Sequence, residues 1–150
     1  MLTKKLKEIL TRHEELRLWP YLCPAGKRTI GVGRNLDDKG LSKEEIAMLL
    51  DEGISEKVAE MLLDNDIADA IKECNQKFPW FDGLNEARTI VVISMVFNMG
   101  MPRFLGFRKT IGHIEAGRFG AAADEMLDSR WARQVGRRAT ELAQMMRDGG

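Results

Sequence analysis

Apolar residues recur along this chain at intervals that change several times, and each change marks an element. Leu2, Leu6, Ile9 and Leu10 fall at i, i+4, i+7 and i+8, one face of a helix with Thr3 placed to cap it, and the pattern predicts an end near Thr11 or Arg12. Residues 19–35 abandon that period: Pro20, Pro24, Gly26, Gly31 and Gly33 surround Arg28-Thr29-Ile30-Gly31-Val32, which is hairpin chemistry. Ser42-Lys43-Glu44-Glu45 reads as a capping box opening a short helix through Leu50. A longer helix restarts at Ile54-Ser55 with Val58, Met61, Leu62, Ile67, Ala70 and Ile71 as its buried stripe, and Pro79 stops it.

From Leu84 to Met99 the polar face disappears. Ile90, Val91, Val92, Ile93, Met95, Val96 and Phe97 point in all directions of a helical wheel, so this helix is expected to be buried on every side. Shorter helices are predicted over 107–116, 119–128 and 137–147, separated by Gly106, Gly117-Arg118 and the Val135-Gly136 break. The pattern predicts an α+β, mainly α chain: a small β-hairpin lobe over about 14–55, a connecting helix over about 55–78, and a helical lobe over about 80–150 that also takes in the N-terminal helix.

Composition narrows the class without naming a partner. With 150 residues, 44% apolar and 31% charged, the chain reads as one globular domain and is neither disordered nor disulfide-rich. The 23 basic and 23 acidic residues cancel, yet residues 1–36 carry +5, residues 37–73 carry −8 and residues 103–147 carry +4. The basic residues are spread over several helices with no DNA-reading motif, so nucleic acid is not expected as a partner. The longest uncharged run, 14 residues over 89–102, is shorter than the roughly 20 a membrane-spanning helix needs, so no stable membrane anchor is expected. Residues 1–9 lack the apolar core and cleavage site of a signal peptide. Cys23 and Cys74 form no metal-like pair, and neither His13 nor His113 belongs to a cluster with zinc spacing, so no metal and no cofactor are expected.

Chemistry concentrates near the hairpin. Glu14 sits where the first helix runs into Leu16-Arg17-Leu18-Trp19, and a carboxyl there can serve as a general acid. Cys23 and Thr29 follow within the predicted hairpin, which would face back toward Glu14. Taken singly, Glu14 reads as a solvated helix-end charge, Cys23 as a small buried residue and Thr29 as a β-former. Trp80, Trp131 and Phe104 offer flat rings on which the apolar face of a ligand can stack, while the methionines read as adaptable packing.

Taken together, Glu14, eight residues, Cys23, five residues, Thr29 and then Ile30-Gly31-Val32-Gly33 resemble the signature of the phage-type lysozymes, the endolysins of glycoside hydrolase family 24. The resemblance continues in Phe97-Asn98-Met99-Gly100, in Gly106-Phe107 and in Ser129-Arg130-Trp131-Ala132-Arg133-Gln134. It implies a two-lobed lysozyme fold and a muramidase that hydrolyses the β-1,4 bond between N-acetylmuramic acid and N-acetylglucosamine, with inversion at the anomeric carbon. By position Glu14 matches the general acid, Cys23 the second catalytic residue and Thr29 the residue that helps place the attacking water. Asn35, Phe97 and Thr110 match substrate-binding positions, Trp131 a buried tryptophan, and Arg138 an arginine that pairs with the acid.

The resemblance further implies a peptidoglycan glycan strand as partner, a monomer, and synthesis in a host bacterial cytoplasm followed by release to the cell wall. Two positions depart from the usual pattern. Cys23 stands where most members carry Asp, and an ordinary thiol of pKa about 8.5 is mainly neutral at pH 7, so it offers less charge to an oxocarbenium-like transition state. That substitution motivates the alternative of a catalytically weakened module that binds cell wall or a protein partner. Arg34 stands where many members carry His, a position expected to serve the stability of the lobe.

Overall fold

The computed structural model describes residues 2–22, 28–36, 39–46 and 54–150. Two compact units emerge along the chain, one formed by Thr3–Asp69 and a second by Ala70–Gly150. The architecture is mainly helical with one small antiparallel sheet, an α+β fold.

In the first unit, α1 (Leu2–Glu14) buries Leu6 and Leu10 as the periodicity predicts, but it starts before Thr3 and runs past Arg12. The extra turn ends because Glu15 takes a left-handed backbone, φ 60°, with its N–H donating to Thr11 O at 3.0 Å. The sheet follows in the order β1 (Leu16–Leu22), β2 (Arg28–Val32), β3 (Arg34–Asn35). Strand β1 pairs Leu16 with Val32 and Arg17 with Gly31, then shifts register before Tyr21 meets Thr29 and Leu22 meets Arg28. Pro20 lies inside that shift, where a residue without an N–H costs the ladder least. Between β2 and β3 the chain reverses through Gly33 at φ 75°, a conformation that a side chain disfavours.

The capping box is present: Ser42 N–H donates to Glu45 Oε1 at 2.8 Å while Ser42 Oγ accepts from Glu45 N–H at 3.1 Å, opening α2 (Lys43–Ile46). The predicted extension to Leu50 falls outside the described residues. Helix α3 (Glu56–Lys77) is capped by Ser55, whose Oγ accepts from Val58 N–H at 3.1 Å. Ala59 and Leu62 close a small core with Ile30 and Ile54, flanked by the half-buried Leu36, Leu41, Val58 and Met61. Lys7 on α1 reaches Glu60 at 2.6 Å and Asp64 at 2.8 Å on α3.

The second unit is built around α4 (Glu86–Met99), entered after a short 3-10 turn at Phe81–Gly83 and capped by the Asn85 side chain, which accepts from Arg88 N–H. Residues 90–96 and Met99 are all buried, as the loss of a polar face predicts, whereas Phe97, expected among them, is half-buried at the end of the helix; each large buried side chain there contributes roughly 1.5–3 kcal/mol by leaving water. Around it lie α5 (Met101–Leu105), α6 (Arg108–Glu115), α7 (Phe119–Leu127), α8 (Arg130–Val135) and α9 (Arg137–Asp148). Rings link these helices in series: Trp80 stacks on Phe78 at 4.6 Å, Phe78 meets Phe104 edge-on, Phe104 stacks on Phe107, and Phe107 meets Trp131 edge-on at 6.2 Å. Arg88 reinforces the far end, donating to Met146 O and Arg147 O while lying 3.7 Å over the Phe119 ring.

Candidate active site

Glu14 is the last residue of α1, and its position follows from how that helix stops. The left-handed turn at Glu15 redirects the chain at once into β1, so the half-buried Glu14 stands at a corner between helix and sheet. Two residues later Leu16 is already paired with Val32 on β2. Neither end of this corner is free to slide, since the helix side is bonded through Thr11 and the strand side through the sheet.

Thr29 belongs to β2, the central strand, and is paired on both sides, with Tyr21 across β1 and with Asn35 across β3. It is 3% exposed, so its side chain is shielded from bulk solvent. Asn35 is half-buried, and its carbonyl accepts from Lys39 N–H at 2.9 Å and Gly40 N–H at 3.3 Å. Thus Thr29 and Asn35 are direct partners, and both share a sheet with the strand that Glu14 leads into. Cys23 lies outside the described residues.

Phe97 and Thr110 belong to the second unit. Phe97 is half-buried near the end of α4, next to Asn98, whose Oδ1 accepts from Trp131 Nε1 at 2.8 Å. Thr110 is 2% exposed on the first turn of α6. Arg138 is half-buried near the start of α9. Phe104 and Trp131 are buried at 0% and 3% exposure, which assigns them to the core and removes them as sugar platforms; Trp80 retains partial exposure.

The most organised polar feature was not read as one from the sequence. Arg34, 2% exposed, places all five guanidinium N–H groups: Nε on Asp66, Nη1 on Glu45 Oε1 and Gly40 O, Nη2 on Glu45 Oε2 and Leu62 O, over 2.8–3.3 Å. Lys39 adds bonds to Asp66 and Asp69, and Asn65 a bond to Glu45. Burial alone would lower the Arg34 pKa, but the bonds to Glu45 and Asp66 outweigh it and the net direction is upward. The same bonds, with help from Ser42 and Asn65, hold Glu45 down to about 2. Sequence offered one mark of this cluster, the Glu of the capping box; nothing in the spacing of Arg34 and Asp66 announces their pairing.

Among the described residues no group of three or more His, Cys, Asp or Glu side chains is placed to hold a metal ion. No described helix is long and apolar enough to cross a membrane. Burial, with a minor contribution from Glu73, pushes the Cys74 thiol up to about 12, so it stays protonated.

A mainly helical chain with a three-stranded antiparallel sheet, in which an acid closes the first helix and a threonine occupies the central strand, has the fold of the lysozyme-like α+β proteins. The phage lysozyme family model matches residues 11–147, and the chain belongs to that family. Among curated proteins it is similar to "Probable T4-type lysozyme 1" of Dictyostelium discoideum, 30% identical over 69 residues. That match spans 46% of this chain and 41% of the relative's length.

Proposed function

We propose that this chain is a muramidase that hydrolyses the β-1,4 bond between N-acetylmuramic acid and N-acetylglucosamine in peptidoglycan, as a single lysozyme-like domain. The observation that carries this reading is the placement of Glu14 at the corner between α1 and β1, with Thr29 paired in the centre of the sheet that begins there. Membership of the phage lysozyme family supports it. In this reading Glu14, protonated, donates to the glycosidic oxygen as the bond to the anomeric carbon breaks. Thr29 orients the water that attacks the opposite face, and Cys23, as thiolate, accepts that water's proton. One water is consumed and two sugar ends result. Asn35, Phe97 and Thr110 contact the glycan strand.

Clearing of a peptidoglycan suspension tests this with three proteins. Wild type is expected to clear it, Glu14→Gln to lose activity by about a thousandfold, and Cys23→Ala by about a hundredfold. Wild-type activity no greater than that of Glu14→Gln would overturn the muramidase reading in favour of the alternative, a catalytically weakened module that binds cell wall or a protein partner. Full activity in Cys23→Ala would remove the thiol from the mechanism and leave the muramidase reading intact.

A further inference from the structure

The buried cluster around Arg34 has a geometry that bears on the site, and the inference rests on the muramidase reading above. Strand β3 has only two residues, Arg34 and Asn35, and so short a strand cannot fix its own register through backbone bonds alone. Its two residues pair with Ile30 and Thr29. The Arg34 side chain supplies what the strand lacks. It ties β3 to Leu62 and Asp66 on α3, to Glu45 on α2, and to the Gly40 carbonyl of the turn that follows its own strand. The backbone of that same turn donates to the Asn35 carbonyl, through Lys39 and Gly40. One guanidinium therefore fixes both ends of the segment that is hydrogen-bonded alongside Thr29.

We propose that Arg34 is a positioning residue for the hydrolytic water: through β3 and Asn35 it fixes where the Thr29 hydroxyl stands relative to the corner that bears Glu14. A planar, five-donor fork is needed to hold two carboxylates and two carbonyls at once, and an ammonium cannot do so. The role is distinct from stability alone, because a register error of a fraction of an ångström at Thr29 alters turnover while the glycan still binds.

The test compares Arg34→Lys and Glu45→Gln with Leu142→Ala, a substitution in the second unit chosen to destabilise without touching the sheet, at a temperature where all remain folded. Arg34→Lys is expected to lower kcat about tenfold with KM changed less than about twofold, Glu45→Gln to do the same more weakly, and Leu142→Ala to leave kcat at the wild-type value. The Thr29 and Asn35 amide resonances are expected to shift in the first two variants and not in the third. Unchanged kcat and unchanged resonances in folded Arg34→Lys, or a kcat loss equal to that of Leu142→Ala, overturns the proposal. If Arg34→Lys does not fold, Glu45→Gln decides by the same two readings. Should wild type itself prove no more active than Glu14→Gln, the muramidase reading fails, and with it any role of Arg34 in turnover; the resonances then report only whether it sets the register of Thr29.

Discussion

Each of the two units has its own internal physics. Among the described residues of the second unit, the buried polar side chains are Ser94 and Thr110, set in a core of aliphatic and aromatic groups on helices packed around α4. The first unit buries Leu6 and Leu10 on α1, Leu63 and Ile67 on α3 and a cluster of Ile30, Ile54, Ala59 and Leu62, and it also buries Thr29, Arg34, Glu45 and Asp66, three of them charged. A three-stranded sheet with a two-residue strand removes little apolar surface from water, so geometry has to come from elsewhere. Apolar packing tolerates repacking; a guanidinium with every donor placed does not. The unit that carries Glu14 and Thr29 is thus the one whose shape depends on charge.

The largest expected effect breaks that dependence. Arg34→Met leaves Glu45 buried without its cation and Asp66 with Lys39 alone, and loss of one partner of a buried pair costs about 4 kcal/mol. Adding Glu45→Gln and Asp66→Leu to Arg34→Met removes the stranded charges, keeps the capping box, and is expected to recover about half of the loss. Urea unfolding of the single and triple variants measures both. A triple variant no more stable than Arg34→Met would show that the cluster acts through packing and not through charge.

A smaller effect separates the units without mutation. The Glu45 carboxyl is held down to about 2 chiefly by its bonds from Arg34, against an ordinary value of 4.5. A group whose folded pKa is depressed contributes stability that is complete above the unfolded value and is lost as pH falls through the folded one. The window is therefore pH 4.5 down to about 2, and at about pH 3 the loss is on the order of 2 kcal/mol. Arg34, Lys39 and Asp66 face Glu45 or its partners, and the two cations stay charged throughout, so the Glu45 carboxyl drives the change. Hydrogen exchange followed between pH 5 and pH 3 is expected to show the β2 and β3 amides losing protection while those of residues 90–96 keep theirs. Equal loss in both would erase the distinction between the units.

The same contrast explains what the sequence disclosed. Apolar periodicity made α4 legible, and the burial of residues 90–96 follows from it directly. Ser42 and Glu45 announced their capping box because its spacing is local. Helices α5 and α8 were missed, being five and six residues long and too short for a period to register. Strand β1 begins at Leu16, earlier than its turn residues suggested, because the helix ends on Glu15 with no glycine or proline to mark the stop. At the candidate site, the resemblance to a family signature singled out Glu14, Cys23 and Thr29, each of which reads as ordinary by itself, and the pairing of Thr29 with Asn35 followed only from the fold. Arg34 stood in the sequence as a departure from a histidine; its partners lie 11 and 32 residues away, separations that no periodic pattern reveals.

The smallest effect concerns strain, and here too the units differ. In the second unit the described residues with left-handed backbone are glycines, at 100, 117, 136 and 149; in the first, Glu15 adopts φ 60° with a full side chain, directly after Glu14. A side-chain-bearing residue in that region costs roughly 1–2 kcal/mol, and the compensating Arg17 to Glu15 ion pair at 3.0 Å is exposed, so it returns little. Glu15→Gly relieves the clash at the cost of added freedom in the unfolded chain, for a net stabilisation of about 0.5–1 kcal/mol. Thermal unfolding is expected to show a higher Tm. Peptidoglycan clearing by the same variant shows whether the corner needs its stiffness: a stabilised protein with reduced turnover means that the strained residue holds Glu14 in place, whereas unchanged turnover means that the Thr11 bond and the start of β1 suffice. An unchanged or lowered Tm would mean that Glu15 is not strained at all, and the seam between α1 and β1 would then be as relaxed as the glycine turns of the second unit.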